Sequence, residues 1–399
     1  MARTRKSLPA QVDVAHLIST GMLASVCPRS LIDEVLATTG KASQRERLLP
    51  APAVVYYVMA LALWREAPLE EVLRVVCEGL AWLGGDKAVA LQASKSAISQ
   101  ARTRLGPEVM KQLAEQVLRP IAHAQAPGAW YRGMRLMAVD GSCMDVADES
   151  GNAAYFGYPA SSRGDSAFPQ ARVLCLVECG THIVTAARIA PYETSEQAMA
   201  ASLLPAKLAP DMLVMADRNF YGLKLWNQAC ASGAKLLWRV KSNLILKHEQ
   251  DLPDGSYLST VYGSEDRRRN SGVRVRVIDY TLAESAKPVQ DSYRMVTNIL
   301  DPEAAPALEL AALYHERWEI ESVFDEFKTH MRSNSTVLRS KTPELVEQEL
   351  WGLLMAHFAI RQLMAKAAWE RELDPDRLSF VHALRVVKRK MPQAAAIPP

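Results

Sequence analysis

The hydrophobic period of this chain changes once, at Met134, and that change constrains the fold more than any other feature. Up to about Gln125, apolar residues recur at helical spacing in "PRSLIDEVLATTG", "PAPAVVYYVMALALWR" and "PLEEVLRVVCEGLAWLG", with Pro or Ser at starts and Gly at ends. From Met134, strand-like runs take over: "MRLMAVDGSCMDVAD", "ARVLCLVECG", "HIVTAARIAP", "DMLVMADRNFYG" and "KLLWRVKS". Two helical stretches interrupt them, giving the order three strands, helix, strand, helix, strand. That order predicts a mixed α/β sheet behind an all-α N-terminal region. The pieces "GSYLSTVYG", "GVRVRVIDYTL" and "SYRMVTNIL" predict a mostly β insertion. The expected division is a helical domain over 1–125, an α/β domain over 130–242 and 299–370, the insertion over 243–298, and a basic tail over 371–399 that frays in its last stretch, "RVVKRKMPQAAAIPP".

A chain of 399 residues, 49% hydrophobic, can bury a large core. Its net charge of +3 decides nothing about partners, so local clusters carry that argument. "SKSAISQARTRLGPEVMKQLAEQV" reads as two short helices bearing Lys95, Arg102, Arg104 and Lys111. It is either a helix-turn-helix with a basic face or a solvated helix pair. The six cysteines include no CxxC, and Cys175 and Cys179 read as core thiols, which suggests a reducing compartment and no structural zinc. The apolar run Val54 to Trp64 is too short to span a bilayer, and a soluble intracellular protein is expected. No GxxxxGK[ST] or HExxH occurs, so neither a nucleoside triphosphate site nor a His-pair metal site is implied.

The chemistry gathers in "YHERWEIESVFDEFK", Tyr314 to Lys328. On a continuous helix at roughly 100° per residue, Tyr314, Arg317, Glu321 and Lys328 fall in a stripe about 60° wide. That stripe borders the apolar face made by Leu313, Ile320, Val323, Phe324 and Phe327, and Trp318 lies beside it. A surface salt-bridge ladder is the plain alternative, but Glu321 and Lys328 are two turns apart, too far to pair directly. Two further carboxylates are expected at the ends of apolar strands: Asp140 after "LMAV" and Asp217, followed by Arg218, after "LVMA". A carboxylate there must reach water, a partner or a cation. Asp140, Asp217 and Glu321 together form an oxygen-donor cluster suited to Mg²⁺, with Asp325 a second candidate for the third ligand. Paired Mg²⁺ ions suit in-line displacement at phosphorus, and Arg317 and Lys328 can hold phosphates beside them.

Tyr-(two)-Arg-(three)-Glu-(six)-Lys, with all its spacings kept, resembles the signature of DDE transposases of the insertion-sequence-four family of bacterial mobile elements. "AVDGSCMDVAD" and "MADRNFYG" are similar to that family's two aspartate blocks, and the N-terminal stretch to its helical domain. The resemblance implies a ribonuclease H-like catalytic domain with a β insertion, and Asp140, Asp217 and Glu321 as catalytic, metal-binding residues. It implies two Mg²⁺ ions, with Mn²⁺ able to substitute, and cut-and-paste movement of DNA, often through hairpinned ends. Tyr314, Arg317, Lys328, Trp318 and Arg218 would then contact DNA. Tyr293, with Trp238 as rival, would stack a flipped end base. Expected partners are terminal inverted repeats, target DNA and a second copy in a synaptic complex, with no membrane and no nucleoside triphosphate. The expected location is the cytoplasm, on the nucleoid. The alternatives are a ribonuclease H-like nuclease or resolvase, and a decayed transposase acting as a DNA-binding repressor.

Overall fold

The fold is that of a computed structural model, described for residues 21–42, 49–79, 93–161, 164–241, 243–263, 266, 268–281, 292–331 and 337–390. Among the described residues six helices come first: α1 (Met22–Val26), α2 (Arg29–Thr38), α3 (Ala51–Leu61), α4 (Leu69–Gly79), α5 (Lys95–Leu105) and α6 (Pro107–Val117). Ser94 caps α5 by accepting the Ala97 N–H at 3.3 Å, and Pro107 opens α6, where its missing N–H costs nothing. The expected elements in residues 1–20 and 80–92 lie outside the described residues.

The strands are β1 (Trp130–Tyr131), β2 (Met134–Asp145), β3 (Ala160–Ser161), β4 (Gly164–Asp165), β5 (Gln170–Glu178), β6 (Ile183–Pro191), β7 (Met212–Ala216) and β8 (Lys235–Val240). The short α7 (Ser150–Phe156) follows β2, α8 (Glu196–Lys207) precedes β7, and α9 (Leu223–Ala231) precedes β8. Then come β9 (Gln250–Asp251), β10 (Tyr257–Val261), β11 (Val273–Thr281) and β12 (Ser292–Thr297). Apart from the β3–β4 pair, they form one mixed sheet in the order β6-β5-β2-β7-β8-β12-β11-β10-β9, with β1 beside β2. β2, β7 and β8 run parallel, whereas β5 and β6 fold back antiparallel beside β2. This is the mixed α/β sheet that the period change implied, in the ribonuclease H-like arrangement that the family resemblance implied. The insertion is no separate layer: β12 pairs antiparallel with β8 and prolongs the same sheet.

The sheet separates two cores. Helices α8 and α9 cover one face, packing on Met137, Val139, Leu174, Val214 and Trp238. The other face, with Ala138, Cys175, Met215, Leu237 and Met295, meets the N-terminal helices and the C-terminal ones. Those are α10 (Ala307–Tyr314), α11 (Glu319–Asp325), α12 (Pro343–Trp369) and α13 (Phe380–Lys390). Helix α12 is buried along almost its whole length because α1, α3, α6, α13 and β6 surround it, which is why its apolar residues show no single face.

Two expectations are corrected here. Arg102, placed on a basic face by its spacing, is buried: it donates to the Leu345 carbonyl at 2.8 Å and the Ser340 hydroxyl at 3.1 Å, fastening α5 to the start of α12. The basic tail is not frayed through Lys390: α13 packs Phe380, Ala383, Leu384 and Val387 into the core and turns Arg385, Arg389 and Lys390 outward. Four apolar residues at helical spacing outweigh the charges.

At Gly352 α12 lies so near α3 that a Cβ would be 2.7 Å from the Val58 carbonyl oxygen. Gly352→Val is therefore expected to lower stability by about 1–3 kcal/mol, read as a lower urea midpoint at unchanged slope.

Candidate active site

Parallel pairing sets the two aspartates side by side. Val139 of β2 is level with Ala216 of β7, and Ala216 with Trp238 of β8. One residue further along stand Asp140, Asp217 and Arg239. Each is two residues beyond a side chain of the core shared with α11, namely Ala138, Met215 and Leu237, so all three share that face. The expectation that Asp140 ends its strand is corrected. β2 continues to Asp145 because its other edge stays paired with β5, and only the pairing with β7 stops before Asp140. Asp217 does follow the end of β7, where its carboxylate accepts the Asn219 N–H.

The helix expected to run unbroken through Tyr314 to Lys328 changes pitch twice. A 3₁₀ turn over His315–Trp318 separates α10 from α11, and a π turn over Glu326–His330 follows α11. In a 3₁₀ turn residues three apart eclipse, which brings the Arg317 guanidinium 5.8 Å from the centre of the Tyr314 ring. Tyr314 is buried and donates to the Ala216 carbonyl at 3.2 Å, pinning the helix to the strand end that carries Asp217. Its phenol is thus a fastening to the sheet, where the uniform wheel had placed it on an open edge. Arg317 is also buried. One of its nitrogens donates to Asp140 at 3.1 Å, and the other lies 3.6 Å from Glu321. A single guanidinium thereby joins the strand carboxylate to the helix carboxylate.

Burial pushes the Asp140 carboxyl up to about 6, against the Gly141 N–H and Arg317, which favour its charged form; Glu196 and Asp217 add to the rise. Glu196 was not anticipated. It opens α8, pairs with Arg172 at 3.2 Å, and lies against Gly141 so closely that a Cβ there would be 2.5 Å from its carboxylate oxygen. Arg239 was missed too, since the register that levels it with the aspartates depends on β8 joining β7 rather than on any local pattern.

Glu321 is 46% exposed, and Lys328, Trp318 and Arg218 are exposed. Asp325 is engaged elsewhere, accepting the Thr329 hydroxyl at 2.6 Å and lying 3.3 Å from His330. Tyr293 sits on β12 between Arg239, whose guanidinium is 4.3 Å from its ring centre, and Tyr280, stacked at 5.3 Å. Trp238 is removed as its rival: it is fully buried on the opposite face, edge-on to Trp226 at 5.3 Å. Sheet parity decides this, because Trp238 and Arg239 are neighbours and must point to opposite faces.

A ribonuclease H-like sheet with carboxylates level on neighbouring strands, faced by a third on a helix, defines a phosphodiester-processing nucleic acid enzyme. Residues 131–359 match the family described as transposase DDE domain, and residues 17–115 match the insertion element 4 transposase N-terminal family. The chain belongs to the insertion-sequence-four group of DDE transposases. It is 29% identical over 367 residues to the transposase InsG for insertion sequence element IS4 of Escherichia coli (strain K12), covering 90% of this chain and 80% of that one. It is 27% identical over 221 residues to the putative transposase InsZ of the same organism, covering 55% and 71%. A piggyBac transposase synaptic complex with hairpin DNA aligns with 98% of this chain and 83% of its own, at 11% identity and a TM-score of 0.43.

The family implies a divalent metal, and Asp140, Asp217 and Glu321 are oxygen donors of the kind one takes, gathered here around Arg317 rather than closed into a ligand cluster, with Cys175 opposite Asp140 across the β2–β5 pair. A second cluster, His182, Glu319 and Asp376, does not fit one. Arg361, a donor only, bonds His182 Nδ1 at 2.7 Å, so Nδ1 accepts and the proton stays on Nε2, facing Asp376 at 2.9 Å. The nitrogen a cation would need is already protonated.

The Asp140 shift has a stability consequence of definite sign. Its folded value, about 6, lies above the usual 3.8, so the folded state keeps the proton through that window and loses stability as pH rises across it. With divalent cations chelated, Asp140→Asn is expected to be more stable than wild type by about 1–3 kcal/mol near neutral pH. The difference should vanish near pH 4, and urea midpoints at the two pH values measure it.

Proposed function

We propose that this transposase binds the terminal inverted repeats of its own insertion sequence and moves it by Mg²⁺-dependent cut-and-paste, through hairpinned ends. The observation that carries the reading is the Arg317 guanidinium joined to both Asp140 and Glu321, since it gathers the carboxylates of strand and helix beside Asp217. Asp140, Asp217 and Glu321 would hold two Mg²⁺ ions, with Mn²⁺ able to substitute. When bound, such ions acidify the attacking water or 3′-hydroxyl and stabilise the leaving oxygen.

The chain's own groups orient the strand. Lys328 and Arg218, both exposed, hold phosphates beside the carboxylates. Arg317, whose pairs with Asp140 and Glu321 hold the site together, lies against a phosphate when DNA enters. Arg239 takes another phosphate, leaving the Tyr293 ring for an unpaired end base. Trp318, 55% exposed beside Arg317, contacts the DNA. Tyr314 keeps the helix on the Asp217 strand end. The helical domain over 1–125 reads the repeats, and the catalytic residues 130–242 and 299–370, with the insertion 243–298, cut and join. Two chains pair the two ends in a synaptic complex and act on target DNA. The setting we assign is the bacterial cytoplasm, on the nucleoid; no helix among the described residues is long and apolar enough to cross a membrane.

The test is cleavage and joining of a duplex that copies the DNA flanking the coding sequence in its insertion sequence. Glu321→Ala should lose about 10³-fold or more of the Mg²⁺-dependent rate, equivalent to about 4 kcal/mol, while Asp325→Ala retains most of it. Cleavage without joining would favour the nuclease, and specific binding without cleavage the repressor.

A further inference from the structure

The catalytic segment carries two pairs of charged residues, each seven apart, on opposite sides. Glu321 and Lys328 are exposed at the front. Glu319 and Glu326 point back into the protein, where a continuous polar chain holds them. Glu319 accepts the Gly180 N–H and lies 3.4 Å from His182 Nε2. His182 Nδ1 accepts from Arg361, which turns its fork onto both oxygens of Glu326, Nε bonding at 3.0 Å. His357, also on α12, meets the Glu326 carboxylate at 2.8 Å.

Glu326 is also where the backbone departs from α-helix. Its carbonyl accepts the N–H of Met331, five residues on, at 2.8 Å. A π turn of this kind is rare and is found mostly where function needs a side chain re-aimed. Here the side chain carried on it is Lys328, which makes no ion pair among the described residues. Stability does not account for the clamp. Burying a carboxylate and a guanidinium costs several kcal/mol for each ion, and apolar side chains of similar volume often serve as well. The carboxyl is nonetheless kept ionised: burial would raise it, but Arg361 and then His357 outweigh burial and hold it at about 2.

We propose that Glu326 is a positioning residue for DNA: clamped by Arg361 and His357, it fixes the π turn and so aims Lys328 alongside Glu321. The proposal rests on Lys328 holding a phosphate. It makes a prediction opposite in sign to simple electrostatics. Removing a negative charge near a DNA site should tighten binding, whereas loss of the clamp should loosen it.

The experiment uses the full chain and the flanking-DNA duplex, measuring Kd across a salt series for wild type, Lys328→Ala, Glu326→Ala and the double variant, well below each Tm. Lys328→Ala should weaken binding about tenfold and lower the salt slope by about one. Glu326→Ala should do the same, and the double variant should be no weaker than either single variant. If Glu326→Ala fails to fold, Glu326→Gln, which keeps the shape and one acceptor, should show the same coupling at smaller size. Unchanged or tighter binding by the Glu326 variant, or effects that multiply in the double variant, overturn the inference. An unchanged Kd and slope for Lys328→Ala overturn the phosphate reading beneath it.

Discussion

The geometry of the site depends on the ion pair between Arg317 and Asp140. It is the direct polar link between the helix of Glu321 and the strand of the first aspartate, and it lies in a nearly closed environment, with the Arg317 side chain 9% exposed. Tyr314, one eclipsed turn earlier, makes the matching link to the end of β7. With both in place, the helix cannot slide along the sheet or rotate on it. Asp140 and Glu321 then share one guanidinium, with Asp217 level beside Asp140, although the three lie 77 and 104 positions apart along the chain, the differences between 140, 217 and 321.

Much of this was legible in the sequence because it rests on local pattern. The period change at Met134, the caps at Ser94 and Pro107, and apolar runs leading to Asp140 and Asp217 each depend on a few neighbouring residues. The Tyr-Arg-Glu-Lys spacing was legible as a pattern, but its geometry was not. A wheel of uniform pitch cannot anticipate a 3₁₀ turn followed by a π turn, and these decide that Tyr314 faces inward. Arg102 was misplaced because a local charge pattern says nothing about Ser340 and Leu345, more than two hundred residues away. Arg239 and Glu196 were missed for a related reason. Strand register and helix docking bring them to the site, and neither leaves a mark in the nearby sequence. Trp238 is the converse case, since one step of parity sends it to the wrong face.

Buried charges recur as fasteners between distant parts of the chain. Arg102 ties α5 to α12. Glu178, wholly buried, accepts the backbone N–H groups of Ile121 and Ala122 and pairs with Arg135, fixing the segment that leads from helices to sheet. Arg276, equally buried, pairs with Asp254 and donates to the Ala305 carbonyl at 2.7 Å, while Asp254 accepts the N–H of Ala307 at the start of α10. Such groups are poor sources of net stability, but each tolerates only one arrangement of its partners. They set orientation where apolar packing alone would accept several.

The insertion's place in the sheet bears on how such a protein can be shortened. Without β9 to β12, β8 would be a bare edge of parallel sheet, its backbone groups unpaired and its side chains Leu236, Leu237 and Trp238 apolar. That is a template for pairing with other molecules. The insertion ends the sheet instead at β9, two exposed residues, Gln250 and Asp251, too short and too polar to recruit another strand. A trimmed enzyme that lacked it would need a new edge before it needed a new way of holding DNA.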